Sequence, residues 1–202
     1  QDHYEKFCKL FPYIETQDQQ SAINDVYEDL STGKLLDRLI CGDVGYGKTE
    51  VAMRASFLVF DDDKTKQVAI VSPTTVLARQ HYISFQKRFS DFGVRIAQLS
   101  RFVSPKEQKE VKEKLKNGDI DIVIGTHALF ANNLEFKNLG LIIIDEEHQF
   151  GVKQKEKLKN IKKDCHVLAL SATPIPRTLQ MSLVGIKDMS IIATPPFERV
   201  AV

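Results

Sequence analysis

Gly42-Asp43-Val44-Gly45-Tyr46-Gly47-Lys48-Thr49 spells G-x-x-x-x-G-K-T between an apolar run, Leu39-Ile40-Cys41, and a helix-forming string, Glu50-Val51-Ala52-Met53-Arg54-Ala55. Each residue type in it answers a need of phosphate binding. The glycines allow a tight turn and let backbone N–H groups approach oxygen atoms with no Cβ in the way. The helix N-terminus beyond supplies unpaired N–H groups and the positive end of a dipole. Lys48 then reaches the β- and γ-phosphates of a nucleotide, and the Thr49 hydroxyl binds Mg²⁺. The plainer alternative is a glycine-rich turn that only carries the chain from strand to helix.

A second chemical cluster lies about a hundred residues on, where Leu141-Ile142-Ile143-Ile144 runs directly into Asp145-Glu146-Glu147-His148. An apolar strand followed at once by acids puts carboxylates at the edge of a sheet, which is where open α/β sheets bind ligands. There Asp145 would hold Mg²⁺, directly or through water, and Glu146 would orient or deprotonate an attacking water. An acidic loop opening a surface helix is the alternative. Ser171-Ala172-Thr173 follows the run Val167–Leu170 in the same way. The hydroxyls of Ser171 and Thr173 are placed to report to the acidic cluster whether a γ-phosphate is present. Pro73-Thr74-Thr75 and Gly125-Thr126-His127 end two further apolar runs. Hydroxyls and backbone N–H groups at strand ends suit a phosphodiester backbone gripped without reading bases.

These groups need a scaffold, and the hydrophobic pattern supplies one. Thr16 caps a helix running to Leu30, with Ala22, Ile23, Val26 and Leu30 at helical spacing, and Ser31-Thr32-Gly33 stops it. Strands are expected at Leu36–Cys41, Gln67–Ser72, Val94–Leu99, Ile120–Ile124, Leu139–Ile144 and Val167–Leu170. Helices are expected at Lys48–Phe60, Thr75–Phe89, Pro105–Lys116, Val152–Ile161 and Ile175–Val184. Short apolar runs alternating with helices predict an α/β fold, a mostly parallel sheet covered on both faces. Residues 1–15 read as a lead-in with one short helix, 16–194 as the nucleotide-binding domain, and 195–202, after Thr194-Pro195-Pro196, as a linker.

With 202 residues, 43% hydrophobic and 27% charged, the chain fits one ordinary globular domain. No apolar run approaches the ~18 residues of a membrane span, and no partner role for a membrane is expected. Three widely spaced cysteines without C-x-x-C indicate neither a metal site nor a disulfide framework, so the cytosol is the default compartment. A net charge of +1 means that any nucleic-acid binding must come from local placement of charge. The lysine-rich helix Val152–Ile161 spreads its charge around the axis and reads as a solvated face. Beginning with Gln, the chain reads as an excised piece of something longer.

The motifs together resemble the first RecA-like, P-loop NTPase motor domain of superfamily 2 helicases and translocases. Gly42–Thr49 resembles motif I, Asp145-Glu146-Glu147-His148 motif II in a DEEH form, and Ser171-Ala172-Thr173 motif III. Pro73–Gln80 resembles motif Ia and Gly125-Thr126-His127 motif Ic. Gln19 resembles the adenine-reading glutamine of that class, with Phe11 or Tyr13 as stacking partners for the base. Within the class, Thr49–Ala55, Leu99-Ser100-Arg101-Phe102, Phe150-Gly151-Val152 and Ala172–Leu179 resemble the bacterial transcription–repair coupling factors. The match extends from about Phe11 to Val202. The replication-fork regression helicases share several of these strings, but Glu50–Arg54 and the Glu147-His148 pair favour the coupling factors. Gln149 stands where both families lead one to expect arginine.

This resemblance implies ATP and Mg²⁺ as cofactors. It implies a motor that hydrolyses ATP to move on double-stranded DNA, displaces stalled RNA polymerase and helps recruit excision-repair proteins through other domains. Glu147 and His148 would join Ser171 and Thr173 in coupling the ATP site to DNA. Thr74, Arg79, Arg101, Thr126 and Arg177 are the DNA-contact candidates. A second RecA-like domain would supply an arginine to the γ-phosphate, so this lobe alone is expected to hydrolyse ATP very slowly. Two other readings stand beside it: the matching lobe of a fork-regression helicase, and a non-catalytic nucleotide- or DNA-binding module.

Overall fold

The computed structural model describes residues 2–43, 45, 47–130, 134–146, 149–161, 164–172, 188–193, 197 and 198. A helix, α1 (Asp2–Lys9), and a short strand, β1 (Tyr13–Ile14), lead in. Then follow α2 (Gln17–Ser31), β2 (Asp37–Gly42), α3 (Lys48–Asp62), β3 (Gln67–Val71), α4 (Thr75–Phe89) and β4 (Ile96–Leu99). The chain continues through α5 (Pro105–Asn117), β5 (Ile122–Gly125), β6 (Leu139–Ile144), α6 (Val152–Ile161) and β7 (His166–Ser171). It closes with β8 (Asp188–Ile192) and β9 (Phe197–Glu198). The expected helix Ile175–Val184 lies outside the described residues.

Seven strands form a parallel sheet in the order β4-β5-β3-β6-β7-β2-β8. The alternation along each strand divides the core in two. Ile40, Val68, Ile70, Ile122, Ile124, Leu141, Ile143, Leu168 and Leu170 face a layer built from α1 to α4. Leu39, Cys41, Ala69, Val71, Val123, Ile142, Ile144, Val167 and Ala169 face the other side, with Leu115 of α5 and Phe150. Both faces of the sheet are therefore buried, as the continuous apolar runs require.

Helix starts follow from their caps. The side chains of Thr16, Thr74 and Ser104 accept hydrogen bonds from the backbone N–H of Gln19, Leu77 and Glu107, at 3.1, 3.2 and 3.2 Å. Pro105 opens α5 and Gly118, at φ +82°, ends it. Three features go beyond the sequence reading. Within the lead-in, α1 places Phe7 in the main core, its ring stacked 4.6 Å from that of Phe57. Beyond residue 187, β8 pairs with β2, so the strand before the glycine loop is internal to the sheet. Finally, β9 pairs antiparallel with β1, Tyr13 opposite Glu198. No helix among the described residues is long and apolar enough to cross a membrane.

Candidate nucleotide site and nucleic-acid edge

In a parallel sheet every strand delivers its C-terminal end to one edge, so the residues that follow the strands meet there. Gly42 ends β2 and Lys48 begins α3. Between them Gly45 and Gly47 hold φ at +83° and +87°, a region that glycine enters freely and other residues seldom do. Val44 and Tyr46 lie outside the described residues.

Gln19 is brought against this loop. It sits in the first turn of α2, fully buried, and its Nε2 donates to the carbonyl of Gly47 at 3.3 Å. A Cβ added at Gly47 would lie 2.0 Å from that nitrogen. The other end of the amide, Oε1, is buried and carries no hydrogen bond among the described residues. An orphaned acceptor costs about 1–3 kcal/mol, and the exocyclic amine of an adenine is a donor that would satisfy it. Of the two aromatic candidates, Phe11 is buried beneath Arg54, whereas Tyr13 is exposed.

Lys48 is 8% exposed. Its ammonium donates to the carbonyls of Gly42 and of Asp43, the latter at 2.9 Å. An ammonium has three donors, and two have acceptors among the described residues, so a third can serve a phosphate oxygen. Burial pushes the Lys48 pKa below the ordinary lysine value, and the charges of Glu146, Asp145 and Asp43 pull against it. The lysine of one crossover and the acids of another thus share one electrostatic environment, separated in the sheet by β7 alone. Thr49, the next residue, is half-buried. A hydroxyl and a carboxylate flanking a phosphate loop are the hard oxygen donors that Mg²⁺ takes, so the residues present fit a magnesium triphosphate.

Asp145 is buried at the end of β6, and its N–H donates to the Val71 carbonyl at 2.8 Å. Its Oδ2 accepts a 2.6 Å hydrogen bond from Nε2 of His81 on α4, a residue the sequence reading did not single out. The signal was there. Ala78, His81, Phe85 and Phe89 recur at helical spacing, and Ala78, Phe85 and Phe89 are buried. Glu146 has φ +49°, the one non-glycine with positive φ among the described residues. Such strain costs roughly 1–3 kcal/mol and gathers at functional sites. Ser171, fully buried, ends β7 opposite Cys41 of β2 and so lies between the glycine loop and the acids. Glu147, His148 and Thr173 lie outside the described residues.

The neighbouring strands β4, β5 and β3 carry the nucleic-acid candidates. Thr74 and Arg79, after β3, are exposed, as is Arg101 after β4. The guanidinium of Arg79 stands 6.0 Å from the Tyr82 ring, and that of Arg101 5.8 Å from the Phe102 ring. Thr126 is buried, so the loop there offers backbone more than hydroxyl. Gly125 is required by packing, since a Cβ would meet the Leu99 carbonyl at 2.3 Å. Arg177 lies outside the described residues. On α6, Lys153 and Lys157 are exposed, as a solvated face requires. Cys8, Cys41 and Cys165 form no disulfide among the described residues, and no group of residues there could hold a metal through three or more His, Cys, Asp or Glu.

Comparison with known proteins agrees with this geometry. Curated relatives include a transcription-repair-coupling factor of Rickettsia bellii, 58% identical over 100% of this chain. Another, from Escherichia coli, is 53% identical, also over 100% of the chain. The chain spans only 18% and 17% of the length of these two relatives. Among solved structures, RecG bound to a three-way DNA junction superposes with a TM-score of 0.79 at 40% identity, covering 96% of this chain and 26% of that one. The helicase MrfA bound to DNA shares the fold, with a TM-score of 0.68 at 18% identity over 87% of this chain and 27% of its own. The family model for DEAD/DEAH box helicases matches residues 16–182, from the cap of α2 past the end of β7, and the chain belongs to that family.

Proposed function

We propose that this chain is the ATP-binding first motor lobe of a double-stranded DNA translocase. In the whole protein, ATP hydrolysis would drive displacement of stalled RNA polymerase and recruitment of excision repair in the cytoplasm. The single observation that carries the nucleotide part is the shared environment of Lys48 with Asp145 and Glu146 at one sheet edge. The partner part is supported by the curated relatives, which are named for coupling transcription to repair.

In this reading Lys48 binds the β- and γ-phosphates, Thr49 and Asp145 hold the magnesium ion, and Gln19 reads adenine. Glu146 orients the attacking water and accepts its proton. Magnesium supplies charge neutralisation at the transferring phosphoryl group. Glu147, His148, Ser171 and Thr173 couple this site to DNA held by Thr74, Arg79, Arg101, Thr126 and Arg177. Residues 16–194 form the motor domain, and 195–202 lead toward a second RecA-like domain whose arginine contributes on the order of 10³–10⁵ in rate.

The test is steady-state ATP hydrolysis by this chain alone and mixed with a second motor lobe from a curated relative, with and without duplex DNA. Slow turnover alone and DNA-stimulated turnover in the mixture are expected. Full-rate hydrolysis by the single chain, undiminished by Lys48→Ala, would refute the two-lobe account. A fork-regression role is the second reading, favoured by the likeness to junction-bound RecG. Stronger stimulation of the whole protein by three-way junctions than by duplex would select it.

A further inference from the structure

The C-terminal edge of the sheet has two halves. Among the described residues, strands β4, β5 and β3 carry the DNA candidates, and β6, β7 and β2 carry the nucleotide candidates. The seam runs between β3 and β6, and Asp145 is fastened across it twice. Its backbone N–H is held by Val71 at the end of β3, and its side chain by His81 on the helix that follows. Both bonds come from the β3–α4 unit, which also carries Thr74 and Arg79. His81 and Asp145 keep only 12% and 9% of their side-chain surface exposed. A carboxylate so buried needs a donor, and His81 is the one donor to its side chain among the described residues. The bond occupies Oδ2 and leaves Oδ1 for an ion.

We propose that His81 is a positioning residue: it fixes the Asp145 carboxylate for magnesium and ties that carboxylate to the DNA-facing segment Thr74–Arg79. The proposal rests on the nucleotide reading above. Partners that orient a metal-ligating carboxylate typically change metal affinity by about 10–100-fold when removed. Because the partner here belongs to the DNA-facing unit, magnesium and DNA should influence each other's binding, and reciprocally.

The experiment titrates Mg²⁺ into this chain with methylanthraniloyl-ATP, with and without a duplex oligonucleotide, for wild type, His81→Leu, His81→Gln and Lys48→Ala. For His81→Leu, half-saturating magnesium is expected to rise at least about tenfold, a shift exceeding any in magnesium-free affinity. The effect of duplex on that midpoint, present in wild type, should vanish. His81→Gln, whose Nε2 reaches the same oxygen, should restore both. Wild-type magnesium demand in His81→Leu, or failure of the glutamine to restore it, overturns the positioning role. Absence of a duplex effect in wild type overturns the tie to the DNA segment. Nucleotide binding indifferent to Lys48→Ala sinks the phosphate-site reading itself, which separates that failure from the failure of this inference.

Discussion

Gly47 is a glycine for two separate reasons, its φ of +87° and the Gln19 amide lying where a Cβ would go. Gly47→Ala should cost about 1–2 kcal/mol from the left-handed backbone alone. It should also push Gln19 aside, so that preference for ATP over GTP falls; competition binding of the two nucleotides measures this, and unchanged preference would contradict it. His166 offers a pH test. The Leu36 N–H donates to its Nδ1 at 2.9 Å, and burial, with the nearby Lys66 charge, pushes its pKa below the ordinary 6.5. The unfolded chain therefore binds a proton that the folded chain refuses, and stability present above that value is lost as pH falls. Urea midpoints at about pH 8 and about pH 5.5 should differ less in His166→Asn, which keeps an acceptor but cannot titrate. At this scale much was legible. Spacing singles out Lys48, Asp145 and Glu146 as candidates, because phosphate and metal chemistry allows few alternatives, and the strand order brings them to one edge. What the spacing does not tell is that His81, on the buried stripe of α4, meets Asp145, or that Glu146 holds a positive φ, since a cross-sheet contact and a backbone angle have no local sequence signature.

Helix α3 carries charge where its pattern predicts core. Glu50 accepts from Arg54 at 2.9 Å and from Arg88 at 2.7 Å, Arg54 reaches Glu15 at 2.6 Å, and Arg88 bonds the Phe7 carbonyl at 2.8 Å. This buried network joins α1, α3 and α4, which explains why the lead-in helix packs as part of the core. Removing Glu50 strands the buried Arg88, whose carboxylate partner it is, so Glu50→Leu should cost about 3–5 kcal/mol by urea unfolding. The Arg95–Asp121 pair has the same chemistry, but Arg95 is 53% exposed. Arg95→Met should cost no more than about 1 kcal/mol. Equal costs would mean that burial is not what sets the value of these pairs. Periodicity placed α4 and α6 to the residue, helped in α4 by the local signal of its Thr74 cap. It missed β8, whose Ser190 donates to Asp25 of α2 and accepts from Arg38 of β2. A short, half-polar edge strand shows itself only when such partners arrive.

For the molecule as a whole, the strand order sets the described DNA candidates and the nucleotide candidates on adjoining halves of one edge. DNA binding by this lobe should be weak, because Arg79 and Arg101 are the exposed cations among the described candidates on that half. Arg79→Ala and Arg101→Ala should each weaken duplex binding evenly across sequences and reduce the salt slope by about 1. Sequence-dependent loss would contradict backbone recognition. The parallel fold was legible from the alternation of apolar runs and helices, whereas the order of strands, and hence the seam, was not. The most direct test of the account is a crystal structure of the chain with a non-hydrolysable ATP analogue and Mn²⁺ in place of Mg²⁺. The anomalous peak is expected between the Thr49 hydroxyl and Asp145, with the triphosphate on Lys48 and the adenine amine at Gln19. Manganese away from those oxygens, or nucleotide bound elsewhere while the glycine loop stays free, would contradict it.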